Sequence, residues 1–143
     1  MADTLISAVK EYFQSYIDAE DAKKPLWVNF LNDEPVSYSI VPLAGNRKVS
    51  QYIHGNSGER AFVFAFQSSR FTADEADRVG NVEFFEALAE WLDDQSEGDL
   101  LPILPVGFTP SSIEALSYGY LFEQGGSETG VYQIQCRLEY SKQ

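Results

Sequence analysis

Ten residues near the end of the chain, Val131-Tyr132-Gln133-Ile134-Gln135-Cys136-Arg137-Leu138-Glu139-Tyr140, decide the fold. Side chains alternate along a strand, so Tyr132, Ile134, Cys136, Leu138 and Tyr140 share one apolar face. Gln133, Gln135, Arg137 and Glu139 share the other. A first arm runs over about residues 113–122, and the glycine-rich stretch Gly125-Gly126-Ser127 supplies a turn between the two. The rest of the chain is expected to pack on the apolar face of this hairpin.

Working backwards, Ala61-Phe62-Val63-Phe64-Ala65-Phe66 reads as a central strand. Its phenylalanines share one face and its small residues the other, so both faces predict cover. Leu26-Trp27-Val28-Asn29-Phe30-Leu31 and residues 36–41 read as two further strands, paired as a hairpin across the turn at 32–35 or lying at an edge. Residues 43–59 are turn-rich and predict a long connection holding at most a short strand.

Two helices complete the pattern. Leu5, Ile6, Val9, Tyr12, Phe13, Tyr16 and Ile17 recur at helical spacing behind a cap at Asp3 or Thr4, and that helix is expected to end near Asp18. Thr72-x-x-Glu75 matches a capping box opening a short helical turn, which Gly80 interrupts. Asn81 then caps a longer helix carrying Val82, Phe84, Phe85, Leu88, Trp91 and Leu92, with Gly98 as its stop. Leu101-Pro102-Ile103-Leu104-Pro105 predicts an extended linker. The expectation is one α+β domain over residues 1–143, with a mostly antiparallel sheet of four to five strands packed with two helices.

The net charge is −12. Residues 73–99 hold ten acids against Arg78 alone, a segment charge of −9. Residues 43–72 carry Arg47, Lys48, Arg60 and Arg70 against Glu59, or +3. A surface this acidic repels phosphate backbones within a Debye length of about 10 Å, so sequence-independent nucleic-acid binding is not expected. The bland reading of the acids is a solvated helix face; the alternative is contact between unlike patches on neighbouring copies.

Chemistry-bearing residues are few. One histidine, His54, stands in a Gly- and Asn-rich stretch with no acid beside it, and one cysteine, Cys136, falls on the apolar strand face. A nucleophile–base pair, a Cys/His metal site and an internal disulfide all lack the residues they need. Asp93-Asp94 and Asp74-Glu75 are adjacent on helices, so each pair diverges by about 100°. No phosphate-binding loop is present: Gly125-Gly126 precede a strand. The sequence therefore predicts no enzyme, cofactor or metal. No apolar run approaches the length of a membrane span, and the opening residues predict no signal peptide.

Three pieces carry a resemblance. They are Asn29-Phe30-Leu31-x-x-Glu34-Pro35-x-x-Tyr38-Ser39-Ile40; residues 61–66 with Ser68-Ser69-Arg70 and the helix ending Phe85-x-x-Leu88-x-x-Trp91; and Gly119-Tyr120-Leu121-Phe122 followed by residues 132–140. In this order they resemble the tail terminators of long-tailed phages and prophages, also called tail-to-head joining or minor capsid proteins. That resemblance implies a tail-terminator-like fold. It implies a structural virion protein that forms a ring, typically of six copies, on the head-proximal end of the tail tube. The tail tube protein and the head connector are the implied partners. The virion tail, and the host bacterial cytoplasm during assembly, are the implied locations. Arg47, Lys48, Arg60 and Arg70 are the expected interface residues. A competing expectation from charge alone is a small acidic DNA mimic or inhibitor that binds a basic protein.

Overall fold

In the computed structural model, residues 4–20, 26–29, 36–45, 47, 58–124 and 128–142 are described. The element order is α1 (Leu5–Glu20), β1 (Leu26–Val28), β2 (Ser37–Pro42), β3 (Gly58–Phe71), α2 (Glu75–Glu97), β4 (Phe108–Ala115), β5 (Tyr120–Gln124) and β6 (Thr129–Lys142). This is an α+β fold.

The long strands β3 and β6 form its axis. They pair antiparallel over 14 residues each, with Phe64 opposite Cys136 and Phe66 opposite Ile134. The sheet order is β1-β2-β3-β6-β4, with β5 also on β6, beyond the end of β4. Among the described residues six strands form the sheet, against the expected four to five. The first arm of the hairpin divides into β4 and β5, because residues 116–119 leave the ladder after the Leu116 amide donates to the Gln135 carbonyl.

The sheet is mixed, which corrects the expected antiparallel arrangement. β1 does not form a hairpin with β2 but lies parallel to it, Trp27 beside Ser39. A parallel neighbour requires the connection to return the chain to its starting end. Asn29, at φ 54°, turns the backbone out of the strand directly after Val28, and its amide still donates to the Ile40 carbonyl. Asparagine tolerates this left-handed conformation better than most residues. The turn expected at 32–35 lies outside the described residues, as does most of the connection expected over 43–59.

Both helices cover the face of the sheet that carries Phe62, Phe64 and Phe66. Thr4 opens α1 by accepting the Ser7 amide at Oγ1. From α1, Phe13 stands edge-on to Phe64 at 5.5 Å and stacks on Phe66 at 5.4 Å. From α2, Phe85 packs on Phe66 and Tyr132. Trp91 sits between Tyr12 and Tyr16 and joins the helices, at 5.1 and 4.6 Å. Phe13, Phe64, Phe66, Phe85, Ile134 and Leu138 are all fully buried in this one cluster, with Phe62 partly buried at its margin. Burying each large apolar side chain contributes about 1.5–3 kcal/mol.

α2 departs from expectation at its start. It is one helix through Gly80, and its N-cap is Asp74, whose carboxylate accepts the Asp77 amide. Thr72 is buried instead against β5, where Gln124 Nε2 donates to its Oγ1. Asn81 is engaged elsewhere, so Gly80 has no competing cap to end the first turn. At the other end the Leu100 amide donates to the Gln95 carbonyl and the Asp99 amide to the Ser96 carbonyl. Gly98 is the C-cap, the stop expected, and a Schellman closure follows with Asp99, at φ 57°, in the left-handed position. Ser96 Oγ accepts the Ile113 amide and donates to the Ile113 carbonyl, tying the helix end to β4.

Candidate interaction surface

The four cations expected at an interface do not form a patch. Arg60 and Arg70 are both in phase with Phe62, Phe64 and Phe66, so they turn towards the helices. Arg60 is buried, opposite Tyr140. Arg70 donates from Nε to Asn81 Oδ1 at 2.8 Å, and its guanidinium lies 4.3 Å from the centre of the Phe84 ring. Asn81 completes the arrangement by donating to the Phe71 carbonyl. Arg70 is therefore a structural clamp between β3 and α2. At about 3.3 Å per residue, the two arginines also stand about 33 Å apart along the strand. Arg47 is exposed, and its carbonyl accepts the Ala61 amide at the border of β3. Lys48 lies outside the described residues. Of the expected set, only Arg47 is shown at the surface. Extending the alternation of residues 61–66 outward to 60 and 70 was the signal that the basic-segment reading missed.

The acids are placed as the helix pattern implies. Asp74, Glu75, Glu83, Glu86, Glu90, Asp93, Asp94, Glu97 and Asp99 are exposed, and Asp77 is half-buried. Arg137 pairs with Glu114 and with Glu139 on the sheet, and neither pair involves α2.

Beside that face lies an uncovered strand. All five residues of β5 are exposed, and among the described residues β5 pairs with β6 alone. Leu121 and Phe122 are about half exposed, and Tyr118 is 83% exposed. The segment is nevertheless held firmly. Gly119 rests on Phe85 of α2, and Gln124 is bonded to Thr72. Tyr120 is fixed on the face away from the helices: its hydroxyl accepts from Gln133 Nε2 at 2.7 Å, and Gln133 Oε1 in turn accepts from Gln67 Nε2 at 2.7 Å. Tyr118 forms one wall of a groove of about 440 Å³ whose other wall is Glu83, Glu86, Ala87, Ala89 and Glu90. A second groove of about 360 Å³ continues past Tyr118 towards Asp93 and Leu116. Val79 and Val82, also exposed, extend the same side of α2 at helical spacing from Glu86 and Glu90.

Catalytic chemistry finds little to work with among the described residues. No three His, Cys, Asp or Glu side chains gather as a metal would need. Cys136 is buried in the core, and burial pushes its thiol far up, away from the nucleophilic thiolate. His54 lies outside the described residues. No described helix is long and apolar enough to cross a membrane.

No family model and no curated protein matches the chain. One solved structure aligns over 97% of this chain and 93% of its own, at 16% identity and a TM-score of 0.49. The name of that protein states no function, and a likeness at this level carries no argument about what the chain does.

Proposed function

We propose that the chain is a structural virion protein, tail-terminator-like in fold, that closes the head-proximal end of a phage tail tube and joins tail to head. The observation that carries this reading is the exposed apolar residues Tyr118, Leu121 and Phe122, with Tyr118 standing against the acidic helix residues Glu83, Glu86 and Glu90. Apolar residues held rigidly at a strand edge suit a chain that works by assembly. Described parts of the segments bearing the resemblance share one core: residues 61–66 pair with residues 134–139, and Phe64, Phe66, Phe85, Leu88, Ile134 and Leu138 are buried in it. On this reading the chain acts without catalysis, cofactor or specific nucleic-acid binding. It works as a ring on the tail in the virion, assembled in the host cytoplasm. The acidic face would keep DNA from adhering as it slides past.

The test is removal of the gene from a phage or prophage that carries it, followed by electron microscopy of lysates. Overlong tails or unjoined heads and tails are expected, restored by the gene in trans. Normal virions without the protein would end the proposal.

One observation favours a second reading. The exposed carboxylates run along the 23 residues of α2, a rod of negative charge about 35 Å long. A DNA mimic or inhibitor presents such a face to a basic protein. A stable complex with a host DNA-binding protein, displaced by duplex DNA, would favour this reading over tail completion.

A further inference from the structure

We propose that the side-chain row Gln67–Gln133–Tyr120 is a register lock: it selects one pairing of β3 with β6 and seats β5 on the same strand, against slips of two residues that the apolar face does not distinguish. Gln67 and Gln133 face one another across β3 and β6, and Gln133 faces Tyr120 across β6 and β5. Gln67 Nε2 donates to Gln133 Oε1 at 2.7 Å, and Gln133 Nε2 donates to the Tyr120 hydroxyl at 2.7 Å. One side-chain amide thus engages both neighbouring strands, and it is buried. Gln135 adds a second, longer bond to the Tyr120 hydroxyl, at 3.3 Å.

The helix-facing side of these strands is repetitive, and its polarity alone leaves the register open. Phe62, Phe64 and Phe66 face Leu138, Cys136 and Ile134. A slip of one residue turns every side chain to the wrong face, but a slip of two keeps the alternation. Sliding β6 by two in one direction sets Phe62 and Phe64 opposite Tyr140 and Leu138. The other direction sets Phe64 and Phe66 opposite Ile134 and Tyr132. Both slips keep apolar opposite apolar. The face away from the helices tells them apart. Ala65, fully buried, stands opposite Gln135 in the observed register. The first slip brings Arg137 opposite Ala65 and carries a charge towards a buried position. The second brings Gln133 opposite Ala65, and alanine offers its amide no side-chain partner. In both, Gln67 and Gln133 part. Single buried polar residues fix register in the same way in coiled coils. The inference concerns the sheet alone and stands whether or not the chain completes a phage tail.

The experiment replaces the row in the whole chain by apolar groups of similar shape, Gln67→Leu, Gln133→Leu and Tyr120→Phe together. Nuclear magnetic resonance then reads the cross-strand Hα contacts. Removing all three partners at once orphans none of them, so the variant is expected to keep the circular dichroism spectrum of the parent. The parent should show one set of contacts, that of the observed register. The variant should show a second set displaced by two residues along β6, or β3 and β6 resonances broadened by exchange between the two. A folded variant with one sharp set in the observed register overturns the proposal. Tyr120→Phe alone keeps the proposal testable if the triple variant does not fold, since it removes one oxygen from an exposed residue. The side-chain amides of Gln133 and of Gln67, which Tyr120 does not itself bond, should then exchange with solvent up to about tenfold faster than in the parent. Unchanged exchange at Gln67 would mean that the row does not act as a unit, and the lock would fall with it.

Discussion

Gly119 and Phe85 touch so closely that a Cβ built at residue 119 would lie 2.2 Å from the Phe85 Cβ and 2.4 Å from its Cγ. The strand edge and the acidic helix are locked together at this point, and only a residue without a side chain fits. Gly119→Ala must push residues 116–119 off α2 or shift the helix. A cost of about 1–3 kcal/mol is expected, as for other overpacked cores. Urea unfolding at constant m-value measures it; a loss under about 0.5 kcal/mol would mean the edge does not rest on α2 as described.

Phe64 tests the centrality of β3. Its ring is fully buried and faces Phe13 and Phe62. Phe64→Ala should cost about 3–5 kcal/mol. A measured loss below about 1 kcal/mol would remove β3 from the centre of the sheet.

Asp99 offers a gain instead of a loss. It occupies the left-handed position of the α2 closure, where an L side chain is strained and glycine is not. Asp99→Gly should stabilise the protein by about 0.5–1 kcal/mol, the relief slightly offset by glycine's freedom in the unfolded chain. Thermal and urea unfolding should agree in sign. A destabilised variant would show that Asp99 contributes something its backbone does not reveal.

The alternation of residues 131–140 was legible because period-2 patterning decides which face of a strand is buried, and all five predicted inward residues are buried. The same rule applied past Phe66 would have placed Arg60 and Arg70 inward. Charge counting by segment concealed this, since it ignores the direction of side chains. The parallel placement of β1 was not legible: three residues carry no directional signal, and the turn at Asn29 depends on one backbone angle. Nor was Gly80 readable as mid-helix. Only the capture of Asn81 by Arg70 and the Phe71 carbonyl explains why the helix does not restart there. The exposed edge at β5 was hidden for a different reason. Tyr120, Leu121 and Phe122 look like core residues, and only the division of the hairpin's first arm at residues 116–119 leaves them uncovered.

Tyr12 gives a pH signature for the helix junction. Burial pushes its phenol up to about 12, with the Gln95 side chain pulling the other way, and its hydroxyl donates to the Leu100 carbonyl at 2.9 Å. The folded state thus favours the neutral phenol, while the unfolded chain ionises near the ordinary value of 10.0. The stabilisation is fully present below pH 10 and is lost as pH rises from 10 towards 12. The ultraviolet phenolate titration of the folded protein should show a late-ionising tyrosine that disappears in Tyr12→Phe. That variant should also lose less stability than the parent between pH 10 and 12. Identical titrations of the two proteins would contradict the buried, hydrogen-bonded phenol.

The last prediction separates surface charge from structural charge within the former basic segment. Arg70 is bonded to Asn81 and covers Phe84, so Arg70→Glu would place an acid against a carbonyl and a ring and is expected to unfold the α2 junction. Arg47 is exposed and contributes its carbonyl, not its side chain, to the β3 border. Arg47→Glu with Lys48→Glu should therefore leave the unfolding midpoint almost unchanged. On the proposed tail-completion reading its effect would fall on assembly: a ring joins one patch to a different patch on the next copy, and Arg47 is exposed to meet one. Each exposed pair contributes only about 0–1 kcal/mol, so the purified protein need not form rings while a tube end can still template them. In infected cells carrying the double variant, overlong tails or tails without heads are expected under the electron microscope. Normal virions at normal yield, from a protein that folds as the parent does, would remove Arg47 and Lys48 from the assembly contact. The ring would then have to be built through other surfaces, the sheet edge first among them.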